Sequence, residues 1–146
     1  MARLPRFWVI QAALYQHRGQ DGAAYAAYRR ASRLDPDNTD VMMDWAWFLV
    51  SNPSYRPGQL PRLLAELANA DDPTYYPVLA YGYGALGDAR QAARWFRLGY
   101  DAGQASPEWL GSYADALDTV GAQAIASRLR RLARRQGGEG GSPSLS

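Results

Sequence analysis

Cysteine is absent from this chain of 146 residues. That excludes disulfides, thiolate metal sites and cysteine nucleophiles, and it is neutral on compartment, because a cysteine-free chain suits oxidising and reducing surroundings alike. Lysine is absent as well. All sixteen basic residues are arginine, and against fourteen acids they leave a net charge of only +2. So small an excess provides no field of the strength that nucleic-acid binding uses. Long apolar runs are missing too. The longest, Trp45 to Val50, has six residues, against the roughly 18 that a membrane span needs. The opening MARLPRFWVI passes into a helical pattern too quickly for a signal peptide. The single histidine, His17, falls near the end of a helical segment beside a turn. One imidazole without neighbouring cysteines or paired carboxylates makes no metal constellation. No glycine-rich phosphate loop leads into Lys and Ser or Thr, and no serine sits in a nucleophile elbow. Asp71 and Asp72 before Pro73 read as turn chemistry. The expectation is a protein without catalytic residues, cofactor or metal.

What the chain does have is a period. Gly19, Gly87 and Gly121 are turn candidates, and the last two are 34 residues apart. With units begun at Pro5, Thr39, Pro73 and Pro107, the same residue types return at the same places. The first unit offers Trp8, Ala12, Tyr15, Ala24, Tyr28, Ala31 and Pro36. The third offers Tyr76, Leu79, Ala80, Tyr83, Ala92, Phe96 and Gly99. The fourth offers Leu110, Tyr113, Ala114, Leu117, Ala126 and Ala133, with Arg130 where a large aromatic belongs. The second begins well (Met42, Trp45, Ala46, Leu49), but then gives Gly58, Arg62 and Ala65, with Pro53, Pro57 and Pro61 crowding its turn. Small residues at three of these places let two helices approach closely, and large ones at the others fill the gaps. A single helical pair cannot bury its apolar face alone, so neighbours must stack.

This pattern resembles the tetratricopeptide repeat (TPR), whose 34-residue unit reads W-x2-L-G-x2-Y, then A-x3-F, then A and P. The resemblance implies an all-α fold, a right-handed superhelix of about four helix-turn-helix units. The solenoid is expected over 1–136, with units near 5–38, 39–72, 73–106 and 107–136. The tail 137–146 (GGEGGSPSLS) has the composition of a disordered linker. The first helices of the pairs are expected near 6–18, 39–51, 75–86 and 107–120, and the second near 21–34, 59–70, 89–102 and 122–135. Asp21 and Asp88 are candidate caps, as is Ser106 before Pro107 and Glu108. Pro77 must stand in a first turn.

A narrower resemblance covers residues 40–135. Asp44-Trp45-Ala46-Trp47-Phe48-Leu49-Val50, Leu60-Pro61-Arg62-Leu63-Leu64, Leu86-Gly87-Asp88, Trp109 to Leu117 and Ala126 to Arg131 are similar to the periplasmic TPR scaffolds of Pel-type bacterial exopolysaccharide export proteins. That likeness implies recruitment of a polysaccharide-modifying enzyme and a periplasmic location, with the cytoplasm left open. Many repeats precede an outer-membrane barrel in that family. Nothing barrel-like is present here, and a repeat that starts at Pro5 without a polar capping element favours a fragment of a longer chain.

In TPR proteins the first helix of each pair lines a concave groove. Carried onto this sequence, the partner-binding candidates are Arg6, Val9, Gln16, Asp40, Met43, Trp47, Val50, Tyr81, Glu108, Asp115 and Asp118, beside Ala13, Thr74, Pro77, Gly84 and Gly111. The groove would have an aromatic middle and an acidic far end that favours a basic partner segment. Trp47 and Tyr81 equally suit packing between units, and Asp115 and Asp118 equally suit a solvated face. At the fifth and ninth positions of the units, Val9, Ala13, Met43, Trp47, Pro77, Tyr81, Gly111 and Asp115 stand in place of the lysine, arginine and asparagine with which chaperone-tail clamps grip a carboxylate. The expected partner is another protein or neighbouring TPR units, including a homodimer by end stacking. Arg128, Arg130, Arg131, Arg134 and Arg135 on the last helix suit either a solvated terminal face or an anionic polymer.

Overall fold

The computed structural model describes residues 4–55 and 58–141, with side chains as far as Gly137. Among these residues there are eight α-helices and no strand, the all-α architecture of paired helices that the repeat implies. The chain divides into two units at Asp71 and Asp72. The first unit holds α1 (Pro5–His17), α2 (Asp21–Leu34), α3 (Thr39–Ser51) and α4 (Leu60–Asn69), with a 3-10 turn at Pro53–Tyr55. The second opens with a 3-10 turn at Pro73–Tyr75 and continues with α5 (Tyr76–Ala85), α6 (Ala89–Asp101), α7 (Pro107–Thr119) and α8 (Gln123–Gly141).

Local chemistry sets these bounds. Asn38 Oδ1 accepts from the Asp40 and Val41 amides at 3.0 and 3.2 Å and caps α3. Asp88 caps α6 through the Gln91 amide, and Ser106 caps α7 through the Trp109 amide, each at 3.1 Å. Each such cap is worth about 1 kcal/mol. Asp21 does not cap as expected. It is the first residue of α2, where its charge meets the positive end of the helix. Three hairpin turns share one solution. Gly19, Gly87 and Gly121 take left-handed φ of 73, 79 and 90°. The amide after each reaches back to close the preceding helix, as Gln20 N does to Tyr15 O at 2.8 Å. Pro77 stands in the first turn of α5, as its missing N–H requires.

The core follows the period with one exception. The buried residues of α2 are Ala24, Ala27, Tyr28 and Ala31. Those of α6 are Ala92, Trp95, Phe96 and Gly99, which stand at the same repeat positions. Helix α4 breaks the register. It buries Leu60, Leu63, Leu64 and Leu67, two residues later than the pattern places them, and leaves Arg62 and Ala65 exposed. The expected inward positions Gly58, Arg62 and Ala65 are therefore wrong. Pro61 is the cause. A helix begun at the repeat position, Tyr55, would hold Pro61 in its interior at about 3 kcal/mol, so α4 begins at Leu60 with Pro61 in its first turn. Tyr55 fills the space of the missing turn, stacked on Tyr25 at 5.2 Å and tilted against Phe48 at 5.7 Å. Pro57, expected to crowd this turn, lies outside the described residues.

Helix α8 runs through Gly141, five residues into the segment expected to be disordered. Once nucleated, a helix gains a hydrogen bond with each added residue, although each glycine there weighs about 1 kcal/mol against it relative to alanine. Residues 142–146 of that segment lie outside the described ones.

Candidate functional site

Four of the predicted groove residues come together in the first unit. Arg6 and Val9 from α1 face Asp40 and Met43 from α3 across an open cleft of about 700 Å3. Leu4, Ile10 and Val41 complete its apolar lining, and Asp35 and Asn38 close its rim. Asp44 also lines this cleft, one helical turn after Asp40. It was not among the predicted residues, because it falls outside the repeat positions assigned to the groove. The signal that could have found it is the acid pair at i and i+4, which shares one helix face. Burial pushes the Asp44 carboxyl above the ordinary carboxylate range, and the neighbouring charge of Asp40 adds to this. Arg6 works in the opposite direction. No side chain among the described residues donates a hydrogen bond to Asp44. The cleft thus holds a carboxylate that lacks a full complement of donors beside an apolar wall.

Gln16, also predicted for the groove, is already engaged. Its Oε1 accepts from Tyr28 Oη at 3.1 Å, tying α1 to α2. Burial, with a contribution from Asp44, raises the Tyr28 phenol to about 12, so this donor stays protonated at any ordinary pH. Trp47 and Val50 are half-buried on α3 and are not among the residues that line the cleft.

In the second unit Tyr81 takes part in packing. Tyr81 donates to Ser112 Oγ at 3.3 Å and stands edge-on to Phe96 and Trp109, with centroids at 5.2 and 5.7 Å. It joins α5, α6 and α7. Asp115 and Asp118 share an arginine, and Asp115 stays exposed. Arg130 of α8 reaches both, at 2.8 and 2.6 Å. The residue that breaks the repeat pattern is thus the one that offsets one of the two charges of the acid pair. Glu108 is exposed in the first turn of α7, where it complements the helix dipole. Among the described residues no group of His, Cys, Asp and Glu is arranged to hold a metal ion, and His17 is exposed in the last turn of α1. No described helix is long and apolar enough to cross a membrane.

Comparison with known families adds the decisive match: the model described as Tetratricopeptide repeat aligns with residues 1–137. The chain belongs to the tetratricopeptide-repeat family. Among solved structures, one described as MamA MSR-1 C2 superposes with a TM-score of 0.76 over 90% of this chain and 75% of that one, at 17% identity. That likeness concerns the fold. No curated protein matches the chain.

As a TPR protein the chain carries a fold whose general role is to bind other proteins. The repeat also accounts for the closest approach in the second unit. Gly99 stands where the TPR pattern asks for a small residue, and a Cβ there would collide with the Trp109 ring. The indole Nε1 of Trp109 donates to Phe96 O at 3.1 Å, which fixes the ring in that position.

Proposed function

We propose that this TPR protein is a non-catalytic scaffold that holds a segment of a partner protein in the cleft between α1 and α3. The observation that carries this reading is the lining of that cleft. Val9, Ile10 and Met43 offer an apolar wall, while among the described residues Asp35, Asp40 and Asp44 outnumber the one cation, Arg6. Such a surface suits a partner segment that inserts an aliphatic side chain and sets a lysine or arginine over Asp44. A cation there would also relieve the cost of holding a half-buried carboxylate in its charged form. The resemblance of residues 40–135 to exopolysaccharide-export scaffolds supplies the narrower form of this proposal, in which the captured protein is a polysaccharide-modifying enzyme of the periplasm.

The test is selection of peptides from a random displayed library on the full chain, with Met43→Asp and Asp44→Asn as counter-selections. The expected result is a set of basic, aliphatic peptides whose binding falls by roughly tenfold or more in both variants. Peptides held equally by the native chain and both variants would move the binding site away from this cleft.

A further inference from the structure

The first unit carries a second surface, which shares Ile10 with the cleft and is otherwise built differently. Successive helical residues are about 100° apart, so on α1 the buried Ala12 marks the inward side, and Phe7, Ile10 and Leu14 fall opposite it. These three are 36, 54 and 43% exposed. Apolar residues at i, i+3 and i+7 on the outer side of a helix form a stripe that ordinarily lies against another element. Beside it, α2 presents Ala23 and Ala26 as the floor of a second cleft, of about 300 Å3, with Arg29, Arg30 and Arg33 around it and Trp8 and Tyr15 from α1 as its wall. Among the described residues no acid lines this cleft. None of its three arginines takes part in an ion pair among the described residues. The Arg30 guanidinium lies 4.7 Å over the Trp8 ring, and the buried Trp8 Nε1 finds no acceptor. Phe7 stands edge-on to Trp8, with centroids 5.1 Å apart, so the apolar stripe and the basic cleft adjoin.

We propose that this surface docks an acidic amphipathic helix of a partner protein. Its aliphatic side chains lie along Phe7, Ile10 and Leu14, and its carboxylates meet Arg29, Arg30 and Arg33. The alanine floor allows a helix to approach closely. The charge argues against a second copy of this chain as the occupant. Stacking the surface on itself would bring arginine against arginine with no acid between them among the described residues. A plain polyanion is disfavoured for another reason, since it would leave the apolar stripe uncovered.

The experiment uses the full chain and two synthetic helices of about twenty residues that share a leucine stripe, one flanked by glutamate and the other by lysine, with poly-glutamate as a third probe. Binding is read by fluorescence anisotropy. The glutamate helix is expected to bind and the lysine helix not to. Arg30→Glu with Arg33→Glu should weaken the glutamate helix by roughly tenfold or more and admit the lysine helix. Leu14→Ser should weaken the glutamate helix without reversing that preference, and Met43→Asp in the other cleft should leave it unchanged. The proposal is overturned by any of five results. The two helices bind alike, or neither binds. Poly-glutamate binds as well as the glutamate helix. Met43→Asp abolishes binding while the arginine variant does not. Sedimentation shows self-association that Arg30→Glu removes, which would make the occupant a second copy.

Discussion

In the second unit, Arg130 reaches Asp115 and Asp118 at 2.8 and 2.6 Å and offsets one of their two charges. In the first unit, Asp40 and Asp44, four residues apart rather than three, line an open cleft of about 700 Å3 where Arg6 is the one cation among the described residues. The same contrast runs through the packing. The second unit keeps the repeat register in α6 and locks α7 against it through Trp109. The first unit loses the register in α4 and patches the gap with Tyr55. A repeat pattern prescribes which positions are small and which are large. It leaves free the positions between them, and there one unit pairs its acids with an arginine of the following helix while the other sets Asp44 half-buried beside an apolar cleft.

The largest test of this contrast concerns the slipped register. Leu64 is fully buried and Ala65 is exposed, although the period places Ala65 inward. Leu64→Ala is therefore expected to cost about 2–5 kcal/mol, and Ala65→Leu less than about 0.5 kcal/mol, both read from urea denaturation. A large loss for Ala65→Leu with little change for Leu64→Ala would restore the 34-residue register to α4 and remove the difference between the units.

A smaller effect is expected at the joint that the second unit kept. An alanine methyl at Gly99 would meet the Trp109 ring, and the ring is held by its hydrogen bond to Phe96 O. Overpacking of this kind costs about 1–3 kcal/mol, against which alanine recovers about 1 kcal/mol of helix propensity. Gly99→Ala should lower the denaturation midpoint, and Gly99→Ala with Trp109→Phe should recover part of the loss. If Gly99→Ala raises the midpoint, the approach of α6 and α7 is looser than the contact implies, and the second unit is not the more tightly closed one.

Much of this was legible in the sequence, and for a physical reason. The turn glycines, the alanines at close approaches and the large residues between them answer to local geometry that repeats with the chain. The bounds of the helices were readable from the same features, from Gly19 and Gly87 to the Ser106 cap. The α4 slip was less legible, because it depends on weighing one proline, Pro61, against a pattern set by the other units. Two features of the site were hidden for a different reason. Arg130 looked like a failed aromatic position, and nothing local says that its side chain spans fifteen residues of sequence to reach Asp115. Asp44 was passed over because the groove positions were carried from a pattern, whereas its role follows from the neighbours α1 brings to it. Contacts between helices are set by three-dimensional reach, which the period does not encode.

The smallest expected effect concerns Asp44 itself. Burial and Asp40 raise its pKa in the folded chain, with Arg6 only partly opposing them, above the value of about 3.9 that an aspartate has when unfolded. The folded state thus holds this proton more tightly than the unfolded state does. Stability linked to Asp44 is greatest below about pH 4 and is lost as pH rises through the folded value, after which the deficit stays constant. Asp44→Asn removes the titration. The variant is expected to melt slightly higher than the native chain at pH 7 and level with it at pH 3. In the second unit, where Arg130 pairs with the carboxylate, Asp118→Asn should show no such gain at pH 7, and a small loss is expected because exposed pairs contribute little. If Asp44→Asn instead melts lower at pH 7, Arg6 offsets a charge of the first unit's acid pair as Arg130 does in the second. The cleft between α1 and α3 would then hold no unsatisfied charge for a partner to meet.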